Sequence, residues 1–250
     1  MIAPRGRAEP ERKTVAAGRP TAGMTPPLAL DIDGTLTTPS GRIDPRVFEL
    51  LPGWDAPVVF ATGKAFPYPV ALAHFLGRPE TVIAENGGIA HVDGETTIFG
   101  DPATARAVVE AFEARGGEIG WGAGDTVNRW RETEVALSQD ADEALLREVA
   151  AAAEGRVEVV DTGYAYHVKS PDVSKGKALR RVADALDIAP DAFVAIGDSE
   201  NDASTFAVAG ESYAVANADA TAREAADIVL DEAYMDGTAG VLADLRERDE

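Results

Sequence analysis

Asp31 and Asp33 stand two residues apart behind the apolar run Leu28-Ala29-Leu30, and Gly34-Thr35 follow at once. Two carboxylates leaving a buried strand into a glycine turn suit phosphoryl transfer through an aspartyl-phosphate, in which one attacks phosphorus and the other handles protons. A calcium loop also begins Asp-x-Asp-Gly, but its twelfth position calls for glutamate and here holds Arg42. Three more polar clusters fall along the chain: Thr62-Gly63-Lys64, Ser174-Lys175-Gly176, and Gly197-Asp198-Ser199-Glu200-Asn201-Asp202. Each has a plain explanation by itself. Aspartate and glycine after a strand make turns, Thr62 caps a helix, Lys175 is solvated, and Asn201-Asp202 open the next helix. Turns alone do not account for all of them together, because open parallel sheets bind ligands outside the carboxyl ends of their strands.

The elements that must position these residues are short. Apolar runs nearly free of charge predict strands over 28–32, 57–61, 81–84, 192–196, 213–215 and 228–230. Helical patterns lie between them over 70–76, 177–186, 200–208 and 220–226. This alternation predicts an α/β protein with a Rossmann-like, doubly wound parallel sheet. The middle of the chain reads differently, with helices over 103–115 and 141–154 and strand-like pieces over 156–160 and 164–168. The expected organisation is a core of residues 25–87 and 170–250 carrying an inserted α+β cap over 88–169. Gly87-Gly88 and Ser170-Pro171-Asp172 are the candidate hinges, and simple turns are the alternative.

Composition bounds the rest. At 250 residues and 45% hydrophobic content the chain buries a sizeable core, and the absence of cysteine excludes disulfides, thiolate metal sites and a cysteine nucleophile. Residues 1–24 carry five basic side chains against two acidic ones without hydrophobic periodicity, and predict a disordered tail; a start at Met24 is the alternative. Without them the chain has 18 basic and 41 acidic residues, a net charge of −23. Such a field repels nucleic acid and anionic membranes, so neither is an expected partner. No apolar run approaches the roughly 18 residues of a membrane span, and a cytoplasmic protein is expected. Only 5 of 23 basic residues are lysine. An acidic, lysine-poor surface suits a salt-rich cytoplasm, where a Debye length of about 3 Å at 1 M salt makes the self-repulsion tolerable.

In order, Asp31-x-Asp33-Gly-Thr, Thr62-Gly, Lys175 and Gly-Asp198-x-x-Asn-Asp202 resemble the four motifs of the haloacid dehalogenase-like hydrolase superfamily, over nearly the whole chain after residue 24. The insertion between the second and third motifs, the Ile83-Ala84-Glu85-Asn86-Gly87-Gly88 stretch and Ser174-Lys175-Gly176 are most similar to the archaeal-type phosphoglycolate phosphatases. The resemblance implies a small-molecule phosphomonoester substrate, most simply 2-phosphoglycolate hydrolysed to glycolate by a monomer or small homo-oligomer. The alternatives are a sugar-phosphate phosphatase, a phosphomutase, or a non-catalytic phosphate-binding regulator on the same fold. It further implies Asp31 as nucleophile and Asp33 as proton donor, then acceptor. Thr62 and Lys175 would meet the phosphoryl oxygens, and Asn201 would orient Lys175 or its loop. Metal contact falls to Asp31, the backbone carbonyl of Asp33, Asp198 and Asp202.

Charge leads to the same metal, since like charges about 4 Å apart repel by about 4 kcal/mol at an effective dielectric of 20. Converging aspartates therefore call for a cation, and hard oxygen ligands favour Mg²⁺. Substrate choice is expected in the cap, where Tyr164, Tyr166 and His167 lead back towards Lys175 and Arg129 or Arg131 would meet a substrate carboxylate. Taken singly, those aromatic residues read as partly buried sheet positions and the arginines as solvated surface.

Overall fold

The computed structural model describes residues 25–122, 126–154 and 156–248, and the tail expected to be disordered lies outside them. Eleven strands are described: β1 Leu28–Leu30, β2 Val58–Ala61, β3 Val82–Ala84, β4 Ile89–Val92, β5 Glu95–Ile98, β6 Val135–Ser138, β7 Glu158–Asp161, β8 Ala165–Lys169, β9 Val194–Gly197, β10 Glu211–Ala214 and β11 Ile228–Val229. Eight of them form one sheet in the order β11-β10-β9-β1-β2-β3-β4-β5, and β6-β8-β7 form a second. From β11 to β3 every neighbour in the large sheet is parallel.

Alternation along the central strands sends side chains to two separate cores. Leu28, Leu30 and Phe60 join Met235, Val241 and Leu242 of the helix Tyr234–Glu247 on one face. Ala29, Val59 and Ala61 join Leu179, Val182 and Ala183 of the helix Lys175–Ala185 on the other. Both faces are thus covered, as the charge-free runs require. The helix over 234–247 was not expected, because Gly237 and Gly240 interrupt its pattern. The predicted helix over 200–208 divides into a 3₁₀ turn, Glu200–Asp202, and a short helix, Ala203–Phe206.

The expected cap boundary needs a correction. Residues 89–98 form a hairpin on the large sheet, with Ile83 opposite Ala90 and Ile89 opposite Ile98, because Ala90 and Val92 bury themselves in the same core as Ile83. The chain therefore leaves the sheet after Ile98, not at Gly87-Gly88, and returns at Ser170. A hydrogen bond of 2.6 Å from Asp101 N to Ser170 Oγ ties the two crossings together. Between them, the helices Pro102–Ala114 and Glu143–Ala151 pack Val108, Phe112, Leu146 and Val149 against Leu137, Tyr166 and Val168 in a third core. Among the described residues no helix is long and apolar enough to cross a membrane.

Candidate active site

The end of β1 continues into Asp31, whose amide still joins the ladder through Ile196 O at 3.0 Å. Gly34, three residues on, has φ +82°, and a Cβ there would lie 1.9 Å from Asp198 Oδ2. Only glycine both adopts that turn and lets the loop after β9 close against it. In that loop Asp202 Oδ2 accepts the amides of Asp198 and Ser199 at 3.1 and 3.2 Å. Lys175 enters from the first turn of its helix, and its Nζ donates to Asp31 Oδ1 and Asp202 Oδ1, each at 2.7 Å. It is wholly buried, so the solvated reading of this lysine does not hold. Burial works against its ammonium, but Asp202 and Asp31 outweigh it and raise its pKa.

One oxygen each of Asp31, Asp198 and Asp202 lie within 4.8 Å of one another. Burial, opposed by Lys175 and reinforced by Asp202 and Asp33, pushes the Asp31 carboxyl up to about 7. Burial, together with Asp31 and Asp202, pushes Asp198 up to about 9. Asp31 Oδ2 is buried without a hydrogen-bond partner among the described residues. A cluster in which burial and mutual repulsion raise two carboxyls, and which leaves a buried oxygen unpaired, has the hard donor set a divalent cation fits.

Asp33 differs from Asp31. Its side chain is 42% exposed and lies 3.1 Å from Lys64 Nζ, which also sits 5.1 Å from the Tyr164 ring centroid. Thr62 lies covered beneath the turn, and its Oγ1 accepts Lys64 N at 3.1 Å. Asn201 was expected to orient Lys175 or its loop. It accepts Ser199 Oγ at 3.0 Å and donates to Asn86 Oδ1 at 2.8 Å, while Lys175 hydrogen-bonds the two carboxylates.

Asp31, Asp33 and Asp198 open into a small cleft, whose opposite wall carries Arg131, Thr162, Tyr164 and His167. Arg131 is not solvated surface; its side chain is 5% exposed. Arg129 is exposed, and Tyr166 faces away, its hydroxyl 3.3 Å from Glu143 Oε2. Sequence reasoning missed Glu134, which is wholly enclosed. Its Oε1 takes His167 Nδ1 at 2.7 Å and pairs with Arg131, and its Oε2 takes Asn86 Nδ2 at 2.8 Å. Burial alone would raise its pKa, but His167 and Arg131 pull it down to about 2. Asn86 therefore joins the acidic loop of the core to the far wall through its single amide. Glu85 makes a second link, accepting the Thr133 amide and hydroxyl, each at 2.7 Å.

A doubly wound sheet thus gathers lysine-paired carboxylates at the ends of its central strands, where such sheets bind their ligands. A family model described as haloacid dehalogenase-like hydrolase matches residues 28–117 and 133–242, and the chain belongs to that family. Among its relatives, a phosphoglycolate phosphatase of Halorubrum lacusprofundi is 82% identical over 227 residues, 91% of this chain and 100% of that protein. A phosphoglycolate phosphatase of Archaeoglobus fulgidus is 39% identical over 81% of this chain and 88% of its own length. The crystal structure of Thermoplasma acidophilum 0175 shares the fold with a TM-score of 0.76 at 25% identity, covering 89% of this chain and 99% of that one.

Proposed function

We propose that the protein is a Mg²⁺-dependent phosphatase that hydrolyses 2-phosphoglycolate to glycolate and phosphate through an aspartyl-phosphate on Asp31. The observation that carries the chemistry is the state of that carboxylate: Lys175 holds Oδ1, and Oδ2 has no partner among the described residues. An oriented carboxylate with one uncommitted oxygen is prepared to attack phosphorus. The substrate assignment draws on the phosphoglycolate phosphatases to which the chain is similar over most of its length.

In this reading Lys175 and Thr62 serve the transferring group. The Lys175 charge offsets the negative charge that accumulates on the phosphoryl oxygens. The hydroxyl hydrogen of Thr62 has no acceptor among the described residues, and we assign it to one of those oxygens. Asp33, at the mouth of the cleft, protonates the departing glycolate alkoxide and later takes a proton from the water that releases phosphate. Asp31, Asp198 and Asp202, with the backbone carbonyl of Asp33, would hold Mg²⁺, which supplies positive charge to the carboxylates and the phosphoryl group. Asn201 keeps the acidic loop in place. Residues between the two crossings act as the cap over this cleft. The acidic, cysteine-free sequence supports a small-molecule substrate and a cytoplasmic setting.

The test is phosphate release at molar salt across 2-phosphoglycolate, sugar phosphates and an aryl phosphate, with and without Mg²⁺. The highest kcat/KM is expected for 2-phosphoglycolate with Mg²⁺. A sugar phosphate in first place would move the substrate class, phosphoryl migration without release would make the protein a mutase, and turnover in EDTA would remove the cation.

A further inference from the structure

We propose that Arg131 is the specificity-determining residue of the cleft, binding the substrate carboxylate through its guanidinium; this rests on the 2-phosphoglycolate reading above. Its placement is unusual for an arginine. The side chain is almost fully enclosed yet lines the same cleft as Asp31 and Asp33. Nε donates to Val127 O at 3.1 Å, and Nη1 donates to Gly63 O at 2.8 Å and to Glu134. Nη2 makes no hydrogen bond among the described residues. Nη2 is therefore the donor of this side chain that stays open to solvent and to a ligand, while the rest of the guanidinium is committed to the protein.

The other cations of the cleft are committed elsewhere. Lys175 is bound to Asp31 and Asp202, and Lys64 to Asp33. His167 spends Nδ1 on Glu134, and its Nε2 lies 3.4 Å from Thr162 Oγ1. That leaves Arg131 to offer the free N–H donors of Nη2 to a second anionic group, a charge-assisted contact that a substrate carboxylate can accept. The bond to Gly63 O also fixes the guanidinium to the turn directly after Thr62. The phosphoryl and carboxylate ends of a two-carbon substrate are thus both read close to one turn, which works against longer phosphomonoesters.

The test compares kcat/KM for 2-phosphoglycolate and for ethyl phosphate, which replaces the carboxylate with a methyl group. It uses wild type, Arg131→Met and Arg131→Lys, with thermal melts to verify folding. In Arg131→Met the ratio of the two values is expected to fall about 100-fold, the size of one charge-assisted contact, chiefly through KM for 2-phosphoglycolate. Arg131→Lys is expected to recover part of it and carries the test by itself if the methionine variant does not fold. An unchanged ratio, or an equal loss on both substrates, overturns the assignment by leaving Arg131 a purely structural or phosphate-contacting role. A wild type that does not prefer 2-phosphoglycolate over ethyl phosphate overturns the substrate reading itself, and this inference with it.

Discussion

Lys175 in the core and Arg131 in the insertion are both buried cations bound to buried carboxylates, but the ground beneath them differs. Lys175 starts a helix packed on the parallel sheet, and its two partners lie at the ends of β1 and just beyond β9, where side chains above and below leave the backbone no freedom. Arg131 sits in an irregular stretch between the helix Pro102–Ala114 and β6, held by two carbonyl oxygens and one carboxylate. The first arrangement closes on itself except for one oxygen of Asp31; the second closes except for one nitrogen of Arg131. The carboxylate cluster is built on strand ends, and the discrimination proposed for Arg131 is hung on a loop.

That contrast can be broken experimentally. Asp31→Asn should reduce kcat by at least about 10⁴-fold while circular dichroism and melting stay near wild type, since it removes the nucleophile and keeps the side-chain shape. Appreciable residual turnover would take the nucleophile away from β1. Gly34→Ala should cost about 10³-fold in kcat/KM, because its Cβ would displace Asp198 and strain a φ of +82°. Activity close to wild type would mean that the two loops need not touch.

On the insertion side, Glu134→Gln tests a charge held well below its ordinary range. A carboxyl near 2 in the fold against 4.5 in the open chain contributes its full stability above pH 4.5 and loses it as pH falls through 2. The stability gap between wild type and Glu134→Gln, from denaturant titrations, should therefore be about 3 kcal/mol near neutrality and shrink below pH 4.5. A gap that widens on acidification would contradict Arg131 and His167 as the cause. The smallest effect is expected from Asp101→Ala, which removes the oxygen accepting Ala103 N and Thr104 N at 3.1 and 3.2 Å. It should lower the melting temperature only slightly, by loss of the helix cap. A loss of kcat in that variant would show the two regions to be coupled more tightly than their separate cores suggest.

The core was legible because its signals are local. Three of the four polar clusters follow a charge-free run, parallel strands covered on both faces write such runs into the sequence, and Lys175 opens a helix of clear periodicity. The sheet's extension through β4 and β5 left a fainter sign. Asp93-Gly94, with φ of +52° and +78°, is a two-residue hairpin turn between alternating strands, but the polar edge strand Glu95–Ile98 lacks a buried face to announce it. Glu134 left no sign at all. Its partners Asn86 and His167 are 48 and 33 residues away, and a buried acid satisfied only by tertiary partners has no periodicity to read. Arg131 suffers the same limitation, since enclosure of a loop arginine depends wholly on what the rest of the chain brings to it.

The hydrogen bond between Asp101 N and Ser170 Oγ has a consequence for assembly. Asp31 and Lys175 meet across 144 residues, and β1 lies between β2 and β9, so the two halves of the sheet must find one another late. Closing so long a loop is slow and entropically expensive when everything between is unstructured. The insertion has its own hydrophobic cluster, and once it condenses it draws its two ends to within a hydrogen bond. A remote pairing then becomes, in effect, a short one. Variants that loosen the core of the insertion are therefore expected to refold more slowly even where their finished sites are intact, as stopped-flow refolding would measure.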